Sequence, residues 1–160
     1  MEWKLELIAV PISDVDRAKA FYVEQVGFNS DHDHTVSDGI RFVQLTPPGS
    51  ACSIAFGKGV SPSPPGSVQG LQLVVPDVQA ARGELVSRGV DASDVQELPW
   101  GSFVFFSDPD GNGWAVQQVV PAQNLSCAAA SAYPPGSRTG EATDCTTPMS
   151  KVLSSDWRKT

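Results

Sequence analysis

The sequence has few cysteines, no long apolar run and no cluster of basic residues. Its three cysteines, Cys52, Cys127 and Cys145, are too few and too scattered for a disulfide framework or a zinc site. No apolar run approaches the roughly 18 residues that span a bilayer, and the first residues lack the apolar stretch and cleavage site of a signal peptide. Nucleic-acid binding is not expected, because phosphate contacts need grouped Lys and Arg. We therefore expect a soluble cytoplasmic protein that binds neither nucleic acid nor membrane.

Charge is scarce and unevenly distributed. Only 18% of the 160 residues are charged, and the net charge is -7. Residues 1–120 carry 7 Lys and Arg against 15 Asp and Glu, which gives -8, whereas residues 121–160 carry 4 against 3, which gives +1. The second part is rich in Ala, Ser, Thr, Pro and Gly without a sustained period, which is typical of disorder or loose packing. The sequence thus predicts an acidic body followed by a disordered or loosely packed tail.

The body contains an internal repeat. Residues 8–27 read IAVPISDVDRAKAFYVEQVG, and residues 71–89 read LQLVVPDVQAARGELVSRG. With Asp14 aligned to Asp77, each copy is an apolar run, then Asp-Val, then a helical stretch that ends at glycine. Aspartate is a good helix N-cap, and glycine suits the left-handed position after a helix end. Each copy therefore predicts a strand followed by a helix.

Strand-like runs follow each predicted helix and complete two modules. Proline- and glycine-rich turns, at 47–50 and 108–113, separate the later strands of each half. The sequence KGVSPSPPGSVQ between the halves has the composition of a linker. The predicted boundaries are 4–57 for the first module, 58–69 for the linker, 70–119 for the second module and 120–160 for the tail.

Two short motifs in these modules resemble a known family. They are VPISDVDRAKAFY at 10–22, followed by Gly-Phe at 27–28, and FSDPDGN at 106–112. Together they resemble the glyoxalase / bleomycin-resistance / extradiol-dioxygenase superfamily, also called vicinal oxygen chelate proteins, over residues 4–119. The resemblance implies an α+β fold, in which two βαβββ modules form a cupped mixed β-sheet with helices outside. It also implies a homodimer.

The resemblance implies four metal-ligand positions, which this chain fills with residues that do not favour a metal. Metal-dependent members place His, Glu or sometimes Gln on the first and last strands of each module, so that a divalent ion holds vicinal oxygens of the substrate. Counting from the two helix caps and from the Asp-Pro-Asp-Gly turn places three positions at Leu7, Gly70 and Ala115. The fourth falls around 51–53, where no carboxylate or His occurs. We therefore expect no metal and no other cofactor.

Neutral polar side chains share strand faces with these positions. Strand periodicity places Gln72 on the same face as Gly70, and Gln117 on the same face as Ala115. Such amides beside an aromatic wall can orient an organic ligand, although ordinary solvent-facing strand residues have the same pattern. The predicted ligand-binding residues are Gln72, Gln117, Trp100, Gln44, Ser53, Ser102, His32 and His34.

The two histidines lie in the run Asp-His-Asp-His at 31–34. On a strand, His32 and His34 would share one face with a spacing that can chelate a metal. The alternative is an edge strand or loop of alternating polar residues, in which one His can still act as an acid or base near neutral pH. Neither His falls on a family ligand position.

The residues favour one function and leave others open. The first is a metal-free glyoxalase/bleomycin-resistance-like protein that binds a small organic ligand in the cup. The alternative is an enzyme of the superfamily, a lyase, isomerase or oxygenase, that uses displaced ligands such as Glu6, His32 and His34 or metal-free acid/base chemistry. A third is a partner domain whose tail mediates an interaction. Catalytic residues and the identity of the ligand are left open by the sequence.

Overall fold

The computed structural model describes residues 1–37 and 39–119, which form two copies of one module. The predicted βαβββ modules are confirmed, with a strand β6 that the sequence pattern did not indicate. The predicted tail, with Cys127 and Cys145, lies outside the described residues. In chain order the elements are β1 Leu7–Ala9, α1 Val15–Ala20 with a π-helical continuation Phe21–Val26, β2 Asn29–Ser37, β3 Ile40–Thr46, β4 Ser53–Phe56, β5 Leu71–Val74, α2 Val78–Ser87, β6 Gln96–Leu98, β7 Gly101–Ser107 and β8 Gly113–Gln118.

Each module forms its own four-stranded mixed sheet. The strand orders are β1-β4-β3-β2 in the first sheet and β5-β8-β7-β6 in the second. β1 runs parallel to β4 and β5 runs parallel to β8, whereas the other pairs are antiparallel. The opening strand of each module therefore lies at a sheet edge, where it has one neighbouring strand in its sheet.

The helix caps predicted from the repeat are confirmed. The Asp14 carboxylate accepts from the backbone N–H of Arg17, and the Asp77 carboxylate accepts from that of Ala80. Gly27 ends the π-helical continuation with φ 91°, a left-handed conformation that favours glycine. Within residues 1–37 and 39–119, no helix is long and apolar enough to cross a membrane.

The inner faces of both sheets and both helices share one hydrophobic core. In β3, Val43 and Leu45 are fully buried in this core, and Gln44 between them lies on the other face. In β8, Trp114 and Val116 join the same core. Because side chains alternate along a strand, the outer face of each sheet points away from the core that the two modules share.

A buried polar cluster, which we call the intermodule junction, joins the two modules. The Tyr22 hydroxyl donates to Asp108 Oδ2 at 2.8 Å and accepts from Trp114 Nε1 at 3.1 Å. Asn112 Nδ2 donates to Asp108 Oδ2 at 2.7 Å and to the Pro11 carbonyl at 2.9 Å. Tyr22 and Pro11 belong to the first module and the other three residues to the second. The Asp-Pro-Asp-Gly-Asn segment, predicted only as a turn, therefore also connects the modules.

The junction keeps its tyrosine neutral. Burial, followed by the charge of Asp108, raises the pKa of Tyr22 well above its usual value. A second contact lies beside it at the surface, where Asp110 Oδ1 accepts from the Arg17 guanidinium at 2.8 Å. Asp110 Oδ2 also accepts from the backbone N–H of Ser13 at 3.1 Å. Both carboxylates of the turn thus bind the first module.

An ion-pair cluster fixes α1 against the first sheet. Asp33 of β2 accepts two hydrogen bonds from the Arg41 guanidinium at 2.8 and 2.9 Å, and one from Lys19 of α1 at 2.7 Å. The hydrogen bonds from Arg41 contribute most, and that from Lys19 contributes less. Together they hold the pKa of Asp33 well below its usual range. Because Asp33 faces the helix, its strand neighbours His32 and His34 lie on the outer face.

Removal of the tyrosine hydroxyl should weaken the junction. In Tyr22→Phe, Trp114 Nε1 loses its buried acceptor and Asp108 loses a donor, so we expect a loss of about 1–3 kcal/mol in the free energy of unfolding. The measurement is urea denaturation at pH 7. The control is Asp94→Asn at an ion pair whose carboxylate is 95% exposed, for which we expect less than about 1 kcal/mol.

The loss of stability in Tyr22→Phe should also depend on pH. Tyr22 has a raised pKa in the folded state, so its contribution is fully present below the unfolded pKa of about 10 and declines as pH rises above it. The difference between wild type and Tyr22→Phe should therefore narrow above about pH 10. A difference that stays constant through this range would contradict a buried neutral tyrosine.

Candidate functional site

The predicted ligand residues lie mainly on the outer faces of the two sheets. The outer face of β2, β3 and β4 carries Gln44, Ser53 and the two histidines, and we call it the first outer face. The outer face of β5, β8 and β7 carries Gln72 and Gln117, and we call it the second outer face. Because each face points away from the shared core, one chain does not bring the two groups of residues together.

A hydroxyl and amide cluster covers the first outer face. Gln44 Nε2 donates to Ser53 Oγ at 3.1 Å, and the hydroxyls of Thr46 and Ser53 are 2.6 Å apart. Thr46 Oγ1 also donates to the Asp31 carboxylate. Ser53 is buried beneath these partners. The cluster therefore offers hydroxyl and amide groups where the strands β3 and β4 pair, with the Asp31 carboxylate at its edge.

The two histidines lie side by side on edge strand β2, as the edge-strand alternative predicted. The ring centroids of His32 and His34 are 5.7 Å apart, and both side chains are exposed. Among the residues that the structure describes, no three His, Cys, Asp or Glu side chains are grouped so that they could hold a metal. The histidine pair by itself thus falls short of the three protein ligands that catalytic zinc sites use.

The second outer face combines amides with aromatic rings. Gln72 Nε2 donates to Gln117 Oε1, and Gln117 Nε2 donates to the Trp100 carbonyl at 3.1 Å. Phe103 and Phe105 lie beside them with centroids 6.0 Å apart and ring planes within 7° of parallel. The Trp100 side chain is 45% exposed at the β6–β7 hairpin. This face thus has a polar edge and an aromatic floor.

Sequence reasoning missed Phe103 and Phe105. Their alternation in the run Ser-Phe-Val-Phe-Phe places them on one strand face, which periodicity could have indicated. Only the pairing of β7 with β8 brings that face to the amides, because it sets Phe103 opposite Gln117 and Phe105 opposite Ala115. The same pairing places Ser102, a predicted ligand residue, on the inner side of β7, where its hydroxyl donates to Glu97 at 2.6 Å.

Strand register corrects one of the expected metal-ligand positions. The Val10 N–H binds the Ala55 carbonyl and the Val75 N–H binds the Gln117 carbonyl, so Val10 and Val75 are equivalent positions. Three residues before each valine stand Leu7 and Gln72. The count back from the second helix cap, which gave Gly70, was therefore wrong by two residues. The physical reason is a connection between β5 and α2 that is two residues shorter than its counterpart in the first module.

The corrected register defines all four positions. Leu7 pairs with Ser53 across β1 and β4, and Gln72 pairs with Ala115 across β5 and β8. The leucine and alanine side chains have no atom that can bind a metal. Glutamine is a residue type that metal-dependent members sometimes use, but one glutamine and one neutral serine fall short of the three protein ligands that catalytic metal sites use. The residues present therefore do not fit the metal that the resemblance implied.

A cleft lies elsewhere, between the helices and the inner side of β5. It has a volume of about 240 Å³ and an apolar lining that includes Phe28, Leu73 and Leu85. Its charged lining residues, Glu84 and Arg88, are 3.7 Å apart and face each other as an ion pair. None of the predicted ligand residues lines this cleft, which meets the second outer face at Val74 of β5.

Comparison with known protein families identifies the family of this chain. The model of the Glyoxalase/Bleomycin resistance protein/Dioxygenase superfamily matches residues 4–116. The chain belongs to this superfamily. Its two mixed sheets, each with parallel first and last strands, are the vicinal oxygen chelate fold that the two motifs implied.

Three proteins from Streptomyces and Bacillus illustrate what the chain is similar to. TnmS3, an antibiotic binding protein from Streptomyces sp. CB03234, is 38% identical with a TM-score of 0.68, over 74% of this chain and 98% of its own. A glyoxalase/bleomycin resistance protein from the same organism is 40% identical with a TM-score of 0.64, over 72% and 100%. The uncharacterized protein YetH of Bacillus subtilis (strain 168) is 24% identical over 113 residues, which are 69% of this chain and 94% of YetH.

The amide arrangement on the second outer face depends on Gly101. This glycine has φ +145°, and a Cβ there would lie 2.7 Å from the Gln118 carbonyl and 3.0 Å from Gln117 Nε2. Gly101→Ala should therefore displace the Gln117 amide and lower the free energy of unfolding by about 1–3 kcal/mol. Thermal and urea denaturation measure the change.

A matched glycine provides the control. Gly83 lies in α2 with an ordinary helical backbone, and a Cβ there meets nothing within 4 Å. Gly83→Ala should raise the free energy of unfolding by about 0.5–1 kcal/mol, because alanine restricts the unfolded chain. Equal effects of the two substitutions would contradict a close approach at Gly101.

Proposed function

We propose that this protein binds a small organic ligand, without a resident metal ion, in a cup formed by an outer face of one copy and an outer face of a second copy. The observation that carries the proposal is the set of residues at the four family ligand positions, Leu7, Ser53, Gln72 and Ala115, which do not suit a divalent ion. Phenylalanine rings beside neutral amides are typical of a site that binds an organic molecule. The printed description of TnmS3 as an antibiotic binding protein supports antibiotics as the first ligand class to test.

A second copy of the chain completes the site in this proposal. The outer faces of one chain point away from its own core, so each offers one wall of a cup. Apolar side chains remain exposed along the edge strands that open the modules, with Leu7 37% and Val74 65% exposed. Trp3 and Leu5 extend the same exposed row before β1. Exposed apolar rows at unpaired edges are typical of association surfaces, so we assign them to a homodimer.

Ligand binding can be tested by calorimetry with a panel of aromatic antibiotics. We expect Phe105→Ala to weaken the tightest interaction at least tenfold, because it removes aromatic surface from the second outer face. Ala81→Leu is the control, since it fills the separate cleft lined by Ala81 and leaves both outer faces unchanged. Weakened binding in Ala81→Leu with unchanged binding in Phe105→Ala would place the ligand in the cleft and overturn the proposal.

The shared cup can be tested by mixing two variants that are each impaired in binding, at a ligand concentration that saturates only intact sites. Gln44→Trp obstructs the first outer face, and Phe105→Ala impairs the second. If each cup takes one wall from each copy, a mixed dimer contains one cup with two intact walls and one with none. Random pairing makes about half of the dimers mixed, so unfolding and refolding the variants together should restore about a quarter of the wild-type sites. A cup built within one chain would give no recovery.

Elemental analysis separates this proposal from the enzyme alternative. We expect purified protein to hold far less than one divalent ion per chain. One stoichiometric ion that is lost in the double variant His32→Ala/His34→Ala would instead support a displaced metal site on β2. The exposed histidine pair is the observation that supports testing this alternative.

A further inference from the structure

We infer that Gln72 recognises a hydrogen-bond donor of the ligand through its carbonyl oxygen, and that Gln117 is the positioning residue that sets this polarity. The inference rests on the proposed function, because it concerns the second outer face as a ligand-binding wall. It starts from the backbone carbonyl of Trp100, which can only accept a hydrogen bond.

The polarity of the two amides follows from that carbonyl. Gln117 donates its Nε2 to the Trp100 carbonyl at 3.1 Å, so its Oε1 faces the other way, towards Gln72. Gln72 must then present Nε2 to Gln117 Oε1, which is the bond observed. With its Nε2 directed at Gln117, Gln72 presents its Oε1 as an acceptor at the end of the chain of bonds.

Burial fixes the direction of hydrogen bonding at Gln117, whereas Gln72 is accessible at the surface. Gln117 is only 6% exposed, so reversal of its amide would leave a buried NH2 group facing Gln72 and two acceptors facing each other at Trp100. Gly101 leaves the room that the Gln117 amide occupies. Gln72 is exposed, so its oxygen is accessible to a ligand on the outer face.

The surroundings define the chemical class of the ligand. The buried ring of Phe103 and the half-buried ring of Phe105 provide apolar surface beside the amides. The paired residues next to them on this face, Ala115 and Gln117, are uncharged. An acceptor beside an aromatic floor fits an uncharged aromatic molecule that carries an O–H or N–H donor. It disfavours an aromatic carboxylate, whose oxygens would meet the Gln72 oxygen as a second acceptor.

Three naphthalenes test this polarity by calorimetry on the full chain. We expect 2-naphthol, which has a donor, to bind about tenfold tighter than 2-methoxynaphthalene, which has none. We expect 2-naphthoate to bind more weakly than either. In Gln72→Met, which keeps the length of the side chain without its hydrogen bonds, the two neutral naphthalenes should bind with equal affinity.

Variants at position 117 test whether Gln117 orients the Gln72 amide or only packs beside it. Gln117→Leu should reduce the preference for 2-naphthol over 2-methoxynaphthalene and improve the relative binding of 2-naphthoate, because the Gln72 amide can then present either its oxygen or its NH2 group. Gln117→Glu should retain the preference at a pH at which its carboxyl group is protonated, because that group can then donate to the Trp100 carbonyl and accept from Gln72 Nε2. Circular dichroism and thermal unfolding establish that each variant is folded before its affinities are compared.

The outcomes distinguish this inference from the proposed function. Equal binding of 2-naphthol and 2-methoxynaphthalene to the wild type overturns the inference and leaves a ligand-binding face in place. Tighter binding of 2-naphthoate than of 2-naphthol also overturns it, since the face would then present a donor. Binding of none of the three naphthalenes overturns the aromatic ligand class together with the proposed role of this face.

Discussion

The rest of the structure depends on the buried hydrogen bond between Tyr22 and Asp108. It joins the first helix to the last turn, and Trp114 and Asn112 complete its bonding on the second module. A buried carboxylate and hydroxyl are costly without partners, so the junction is satisfied in one arrangement of the two modules. That arrangement turns the apolar faces of both sheets inwards and leaves their amide- and aromatic-bearing faces outside.

This orientation explains why the candidate site is divided. Gln44 and Ser53 lie on one outer face, and Gln72 and Gln117 lie on the other, although all four occupy comparable strand positions. A single copy therefore carries the two groups of residues on separate faces, and the homodimer that we propose would set them opposite each other. The exposed apolar residues along β1 and β5 fit this explanation, because they flank the same outer faces.

The superfamily fold is retained here without its usual metal ligands. Fold by itself does not determine activity, which depends on the residues at the site. At the four positions where metal-dependent relatives place ligands, this chain has two aliphatic side chains, a serine and a glutamine. The hydrogen-bonded amides and stacked phenylalanines that surround them suit recognition of an organic molecule better than activation of a bound oxygen.

The sequence by itself determined the modules, because caps, periodicity and turns are local: Asp14, Asp77 and Gly27 have the roles that their residue types predict. It also indicated that Gln72 and Gln117 lie on strand faces that carry family ligand positions. Only the tertiary structure decided the rest. Strand register moved the equivalent of Leu7 from Gly70 to Gln72, placed Ser102 inside and brought Phe103 and Phe105 to the amides. Pairing between distant strands and packing across the junction depend on contacts far apart in the chain, which local patterns do not encode.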